Sequence, residues 1–268
     1  MDADGRPLAR TLGDPSGIGS RGGLSRLPRP SGARVSAMPV MPDSANLCPE
    51  ASGNRSDGAG AASGTAPRRS AGAPPEDDWS PWHPGELARR LETVARPWCV
   101  VGGWALDLWH GHQTRDHEDL EFTVLREDVG VFCQALADMT LYTVADGRFE
   151  HLPEGGEPPS HILQIWCFDV RAARWRVDLM IEPGEPDVWV CRRCPTIRHP
   201  RAAMVASTPD GIPYLRPAAV LLFKAKHRRD KDEADFERAL PHLTGGERRW
   251  LQANLDRLHP GHPWAQAL

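Results

Sequence analysis

Lysine is almost missing from this chain: Lys224, Lys226 and Lys231 are the only three, and every other cation is Arg or His. Neither GxxxxGK[ST] nor GxGxxG occurs, so P-loop and Rossmann phosphate cradles have no support. No apolar run is long enough to span a bilayer. No compact apolar segment follows the N-terminal charges, as a secretory leader would require. A net charge of -4 over 268 residues offers no broad cationic face to nucleic acid. The one C-x-x-C, Cys191-Arg-Arg-Cys194, lacks the second pair that a structural zinc site needs. With the other cysteines scattered and no leader, the expectation is a reducing cytoplasm and no disulfides. Repeats are absent.

What is there divides into unlike materials. Residues 1–78 are rich in Gly, Ser, Ala, Pro and Arg, and no hydrophobic period persists. Such a segment buries too little apolar area to offset chain entropy, so disorder is expected. Met38 and Met41 lie within it as internal candidate starts. From residue 79 the pattern becomes that of a folded α+β protein. Helical spacing appears at 85–95, 104–110 and 128–138. Strands are expected at 98–101, 118–125, 141–144, 187–192 and 212–215, the last an edge strand because prolines flank it. Residues 162–168 and 174–181 read as a strand hairpin, and 150–160 as a loop. Helices follow at 217–227, 231–240 and 246–258, the last with a Thr244/Glu247 capping box. Mixed strands first and helices last give an α+β core over 79–215 and a helical part over 216–268.

The chemistry concentrates in residues 100–125, VVGGWALDLWHGHQTRDHEDLEFTVL. Asp119 and Glu121 are two apart, so in a strand they share a face while Leu120, Phe122 and Val124 point into a core. Two adjacent carboxylates repel, and a divalent cation would relieve them. Gly102 and Gly103 let backbone amides approach a phosphate closely. Arg115 either reaches a phosphate or ties its loop to Asp116 or Asp119. Asp107 and His117 read as structural and positional, and Trp104 and Trp109 as core. Further on, WRVDLMIEP sets Trp175, Val177, Leu179 and Ile181 on one strand face, with Asp178 on the other. An Asp inside a strand is disfavoured by propensity. It is either a solvent-facing partner of Arg176 or a third carboxylate for the acid pair. The lysine cluster, LLFKAKHRRDKDEADF, is either a charged helix surface with i,i+4 pairs or a site suited to a compact ammonium.

GGWALDL, TRDH and EDLE together resemble the signature of the nucleotidyltransferase superfamily that includes DNA polymerase beta. The likeness is strongest to its minimal branch of lincosamide and aminoglycoside adenylyltransferases. The resemblance implies a mixed sheet with flanking helices, with a Gly-Gly turn at 102–103 holding a triphosphate. Magnesium would be held by Asp119 and Glu121, with a third acid mapped to Asp178 as metal ligand, general base toward the acceptor hydroxyl, or both. Glu121 departs from the Asp usual at the second position. The Lys, then Arg-x-Lys-Asp, pattern falls on Lys224, Arg229, Lys231 and Asp232, with Lys224 assigned to the triphosphate. The implied reaction transfers AMP from ATP to a hydroxyl of a small acceptor, an aminoglycoside or lincosamide. For a polycationic acceptor, the loop at 147–160 offers Glu150, Glu154 and Glu157. Rival readings are a toxin-like transferase acting on tRNA or protein, and a nucleotide-binding protein without catalysis. No membrane partner is expected.

Overall fold

The computed structural model describes residues 73–268. The expectation for 1–78 therefore lies, up to residue 72, outside the described residues. The first elements are α1 (Pro84–Arg90), β1 (Trp98–Val100), α2 (Gly102–His110), β2 (Glu121–Leu125) and α3 (Val129–Ala135). Next come β3 (Thr140–Ala145), β4 (Arg148–Leu152), β5 (Gln164–Asp169) and β6 (Arg174–Glu182). The short elements β7 (Gly184–Glu185), β8 (Val188–Val190), β9 (Arg198–Pro200), α4 (Arg201–Met204), β10 (Val205–Ser207) and β11 (Pro213–Leu215) follow. The chain closes with α5 (Pro217–Lys224), α6 (Asp230–Ala239), α7 (Gly245–Leu258) and α8 (Pro263–Ala267).

Eight strands form one mixed sheet in the order β10-β11-β1-β2-β6-β5-β3-β4, and β7, β8 and β9 form a small second sheet. The pairs β1–β11 and β2–β6 are parallel; β1–β2 and β5–β6 are antiparallel. The parallel register sets Glu121 opposite Asp178 and Phe122 opposite Leu179. Phe122, Val124, Leu179 and Ile181 enter the main core with Leu87, Phe132, Leu221 and Leu255. Alternation along the strands therefore leaves Glu121, Thr123 and Asp178 together on the opposite face.

Several elements differ from the sequence reading, each for a local reason. The acid strand begins at Glu121, so Asp119 lies just ahead of it on the incoming loop. The stretch at 148–152 pairs with β3, although sequence placed its latter half in a loop. Asp146 and Gly147 both have positive φ, 50° and 69°, the conformation of a tight hairpin turn, and Asp-Gly is its sequence signal. The expected edge strand at 212–215 is interior: β11 lies between β1 and β10. Pro213 sits at its first residue, where a missing N–H is tolerated. Trp175 also changes face. The register of β5 and β6 shifts between Cys167 and Phe168, so Trp166 opposes Asp178 while Phe168 opposes Trp175. The bulge puts Trp175 on the side of Asp178, 5.4 Å from the ring of Trp166. There Trp79, Tyr142, Phe149 and Phe168 join it in an aromatic cluster.

The C-terminal helices start on their own signals. Pro217 and Pro263 occupy first turns, and Thr244 and Glu247 exchange the expected capping bonds. Cys194 is disulfide-bonded, which corrects the expectation of thiols throughout; Cys99, Cys133, Cys167 and Cys191 are free. That expectation rested on a default for the compartment rather than on any feature of the turn that holds Cys194. No helix among the described residues is long and apolar enough to cross a membrane.

Candidate active site

Gly102 opens α2 with φ 63°, a conformation glycine adopts without the penalty a Cβ would bring. A Cβ there would also collide with Oε2 of Glu121, and one at Gly103 would collide with the side chains of Arg115 and His117. The two glycines thus let the loop at 111–119 and the start of β2 close down on the helix N-terminus. That loop is tied from beneath. Asp107, buried on α2, accepts from Thr114 Oγ1 at 2.6 Å and pairs with His117 Nε2 at 2.5 Å. Burial works against the charge of Asp107, yet the bonds from His117 and Thr114 hold its carboxyl below the ordinary range.

Glu121 and Asp178 face each other across adjacent strands, and both titrate abnormally. Burial, then the neighbouring Asp119, raises Glu121 to about 7. Burial, then Glu121, raises Asp178 well above the carboxylate range. Asp119 itself is exposed. Gln164 Nε2 donates to Asp178 Oδ2 at 2.5 Å, while Asp178 Oδ1 is buried without a hydrogen-bond partner. Asp178 does not pair with Arg176, which bonds Asp169 and Ser80 instead.

Beside Glu121 is a cavity of about 290 Å³, whose lining takes in neither Asp119 nor Asp178. Gly102, Glu121, Lys224 and Arg229 line it, so four of the residues singled out in the sequence share one space. Glu182, Thr123, Trp189, Phe223, Arg192 and Arg193 line it too; sequence reasoning did not single these out. Arg192 and Arg193 were legible only as the filling of a C-x-x-C, and Glu182 only as the end of a strand.

The other predicted residues are placed differently. Arg115 makes a bidentate pair with Asp235 at 3.0 and 3.1 Å; it donates to the carbonyl of Asp116 as well. Lys224 Nζ is 3.0 Å from both Asp232 and Asp235. Arg229 bonds Asp232 at 2.9 Å, and Lys231 bonds the exposed Glu118 at 2.7 Å, outside the cavity lining. Asp232 and Asp235 are buried and paired. Burial opposes their charge, but Arg229 and Lys224 hold Asp232 below the usual range, and Arg115 and Lys224 do so for Asp235. Glu154 and Glu157 line a separate cavity of about 260 Å³ between α3 and β4.

The donor chemistry fits a divalent cation: oxygen ligands only, two carboxylates whose charge is unrelieved, and one orphaned buried oxygen. As arranged, no three His, Cys, Asp or Glu side chains among the described residues stand close enough together to hold an ion.

A mixed sheet, a glycine-opened helix and facing acids on adjacent strands are brought together here. Residues 86–167 match the family model of the aminoglycoside-2''-adenylyltransferases, and the chain is a relative of the nucleotidyltransferases. The match takes in Gly102, Gly103, Arg115, Asp119 and Glu121 and ends before Asp178. Among solved structures, the chain is similar to ANT(2'')-Ia in complex with adenylyl-2''-tobramycin at 14% identity and a TM-score of 0.43, covering 63% of this chain and 92% of that one. The solution structure of the antibiotic-resistance factor ANT(2'')-Ia shows 14% identity and a TM-score of 0.41, over 63% and 86% of the two chains. An antigenic nucleotidyltransferase-like protein from Paracoccidioides brasiliensis gives 13% identity and a TM-score of 0.38, over 68% and 89%. Among curated proteins none matches.

Proposed function

We propose that the protein is a magnesium-dependent adenylyltransferase that moves AMP from ATP to a hydroxyl of an aminoglycoside, and so contributes to antibiotic resistance. The observation that carries the reading is the facing of Glu121 and Asp178 in register, beside the opening of α2, with one carboxylate oxygen orphaned. The family match over 86–167 supports the acceptor class.

In this reading Asp119, Glu121 and Asp178 hold magnesium, which supplies charge neutralisation at the phosphates when bound. The backbone at Gly102 and Gly103 receives the triphosphate, and Lys224 and Arg229 supply positive potential beside it. The acceptor oxygen bonds to the α-phosphorus, the bond to the β-phosphate oxygen breaks, and pyrophosphate leaves. Asp178, ionised once a cation is held beside it, takes the hydroxyl proton. Catalysis is then largely positioning and electrostatic stabilisation. Asp116 and Asp119, exposed on the loop that leads into the acid strand, offer negative charge toward which a polycation is drawn.

Pyrophosphate release from ATP, with magnesium and a panel of aminoglycosides and lincosamides, tests the reading. Wild-type turnover on an aminoglycoside, lost in Asp119→Ala and Asp178→Asn, is expected. Magnesium-dependent ATP binding without turnover on any acceptor would leave a nucleotide-binding protein in its place.

A further inference from the structure

We propose that Arg192 and Arg193, at the tip of the turn between β8 and β9, clamp the terminal phosphates of the nucleotide and the pyrophosphate it releases. This rests on the nucleotidyltransferase reading above and adds to it a pair of groups from the small second sheet.

Cys194 N donates to the carbonyl of Cys191 at 3.1 Å, Ile197 N to Cys194 at 2.9 Å, and Cys191 N to Ile197 at 3.0 Å. Cys191 and Cys194 are both buried. The two cysteines are therefore the anchored ends of a tight turn, and the arginines between them are its tip. Both arginines line the cavity that holds Glu121, Gly102 and Lys224.

Charge balance around that cavity then separates its cations. Lys224 and Arg229 already share their charge with the buried acids of α6. Among the described residues, neither Arg192 nor Arg193 lies within ion-pair distance of a carboxylate. Arg193 donates to the carbonyl of Phe223 at 2.6 Å and lies 5.2 Å from that ring's centre. That contact fixes the guanidinium in place and leaves most of its donors unused. Burial, then the adjacent Arg192, lowers Arg193 to about 10. Two adjacent cations, one half-buried and neither paired with an acid, create a site whose cost an anion removes. A planar fork of donors suits phosphate oxygens, and Arg192 lies close enough to Glu121 to act on its charge. The anion is thereby placed on the side of the cavity next to the acids.

Calorimetric titration of the full-length protein tests the clamp, with magnesium present throughout and three probes: a non-hydrolysable ATP analogue, AMP and inorganic pyrophosphate. Arg192→Gln, at an exposed tip, leaves the fold intact. It is expected to weaken the ATP analogue and pyrophosphate about tenfold each, the loss of one charge-assisted contact, and to leave AMP unchanged. Arg193→Gln should do the same, with Arg193→Lys restoring part of the affinity. Unchanged pyrophosphate affinity in the variants, or an equal loss for AMP, would overturn the clamp. If the wild type binds and turns over ATP while the variants bind as it does, the clamp alone is wrong. If the wild type binds none of the three probes, the transferase reading and the clamp fall together.

Discussion

At the residue scale the site is a problem of unrelieved charge. Glu121 sits at about 7 against an ordinary 4.5, so the folded protein holds its proton more tightly than the unfolded chain does. The resulting stability is complete below about pH 4.5 and is lost as pH rises to about 7. Asp178, raised by burial and by Glu121, acts in the same direction. Magnesium requires the ionised forms, so its stabilising effect should grow across the same interval. Melting temperatures from pH 4 to 8, with magnesium and with chelator, should diverge toward the alkaline end. Curves that stay parallel would remove the acids from ion binding. Asp178→Asn should melt higher than wild type in chelator at neutral pH, because it deletes one of the repelling charges, and should lose the magnesium response. The sequence exposed this pair through the spacing of Asp119 and Glu121 and through an Asp inside a strand. It did not expose Gln164 as the donor to Asp178, because that contact depends on the register between β5 and β6. Nor did it show that a bulge moves Trp175 to the same face.

At the element scale the decisive helix is α6. Read as a sequence, DKDEADFERA is a solvated surface with salt pairs along it; folded, it presents Asp232 and Asp235 inward, where they collect Lys224, Arg115 and Arg229. Through Asp235, α6 is joined to the loop that leads into β2, so it holds the acid strand as well as the lysine. Burial of that kind is tertiary, and a helical period in one segment does not reveal it. Lys224→Met would take one cation from each of two buried carboxylates while Arg229 keeps Asp232 and Arg115 keeps Asp235, so the loss should stay below the about 3–5 kcal/mol of a buried charge left with no partner. A fall in chemical-denaturation midpoint is expected, together with loss of turnover. Lys224→Arg separates the two roles: it keeps the charge, so near-native stability with depressed turnover would assign the ammonium to the nucleotide. Gly103→Ala probes the other side of the same joint. Its Cβ would displace Arg115 and His117, and overpacking of this sort costs about 1–3 kcal/mol. Gly111→Ala meets nothing within 4 Å and carries only the strain of its positive φ, so it should be the milder of the two.

At the scale of the whole molecule, the sheet order explains why distant segments meet. Placing β6 beside β2 brings Asp178 to Glu121 across 57 positions of sequence (178 minus 121), and the strand pattern alone could not select that neighbour. The α+β class and the three last major helices were legible, because hydrophobic period and caps are local. The acidic loop was legible as composition but not as location. Glu154 and Glu157 line a cavity that shares no residue with the one at Glu121, whereas Asp116, Glu118 and Asp119 lie exposed on the loop that leads into the acid strand. Acceptor binding therefore distinguishes two places on one molecule. If a polycationic acceptor is drawn to the loop before β2, Asp116→Asn should raise its KM several-fold at low salt and less at high salt, as screening shortens the field. The double variant Glu154→Gln, Glu157→Gln should leave KM where it was. Asp116 is preferable to Glu118 for this purpose, since Glu118 already bonds Lys231 and its removal would disturb two groups at once. A rise in KM from the loop pair, with none from Asp116, would move the acceptor to the cavity between α3 and β4 and detach it from the facing acids on which the transferase reading depends.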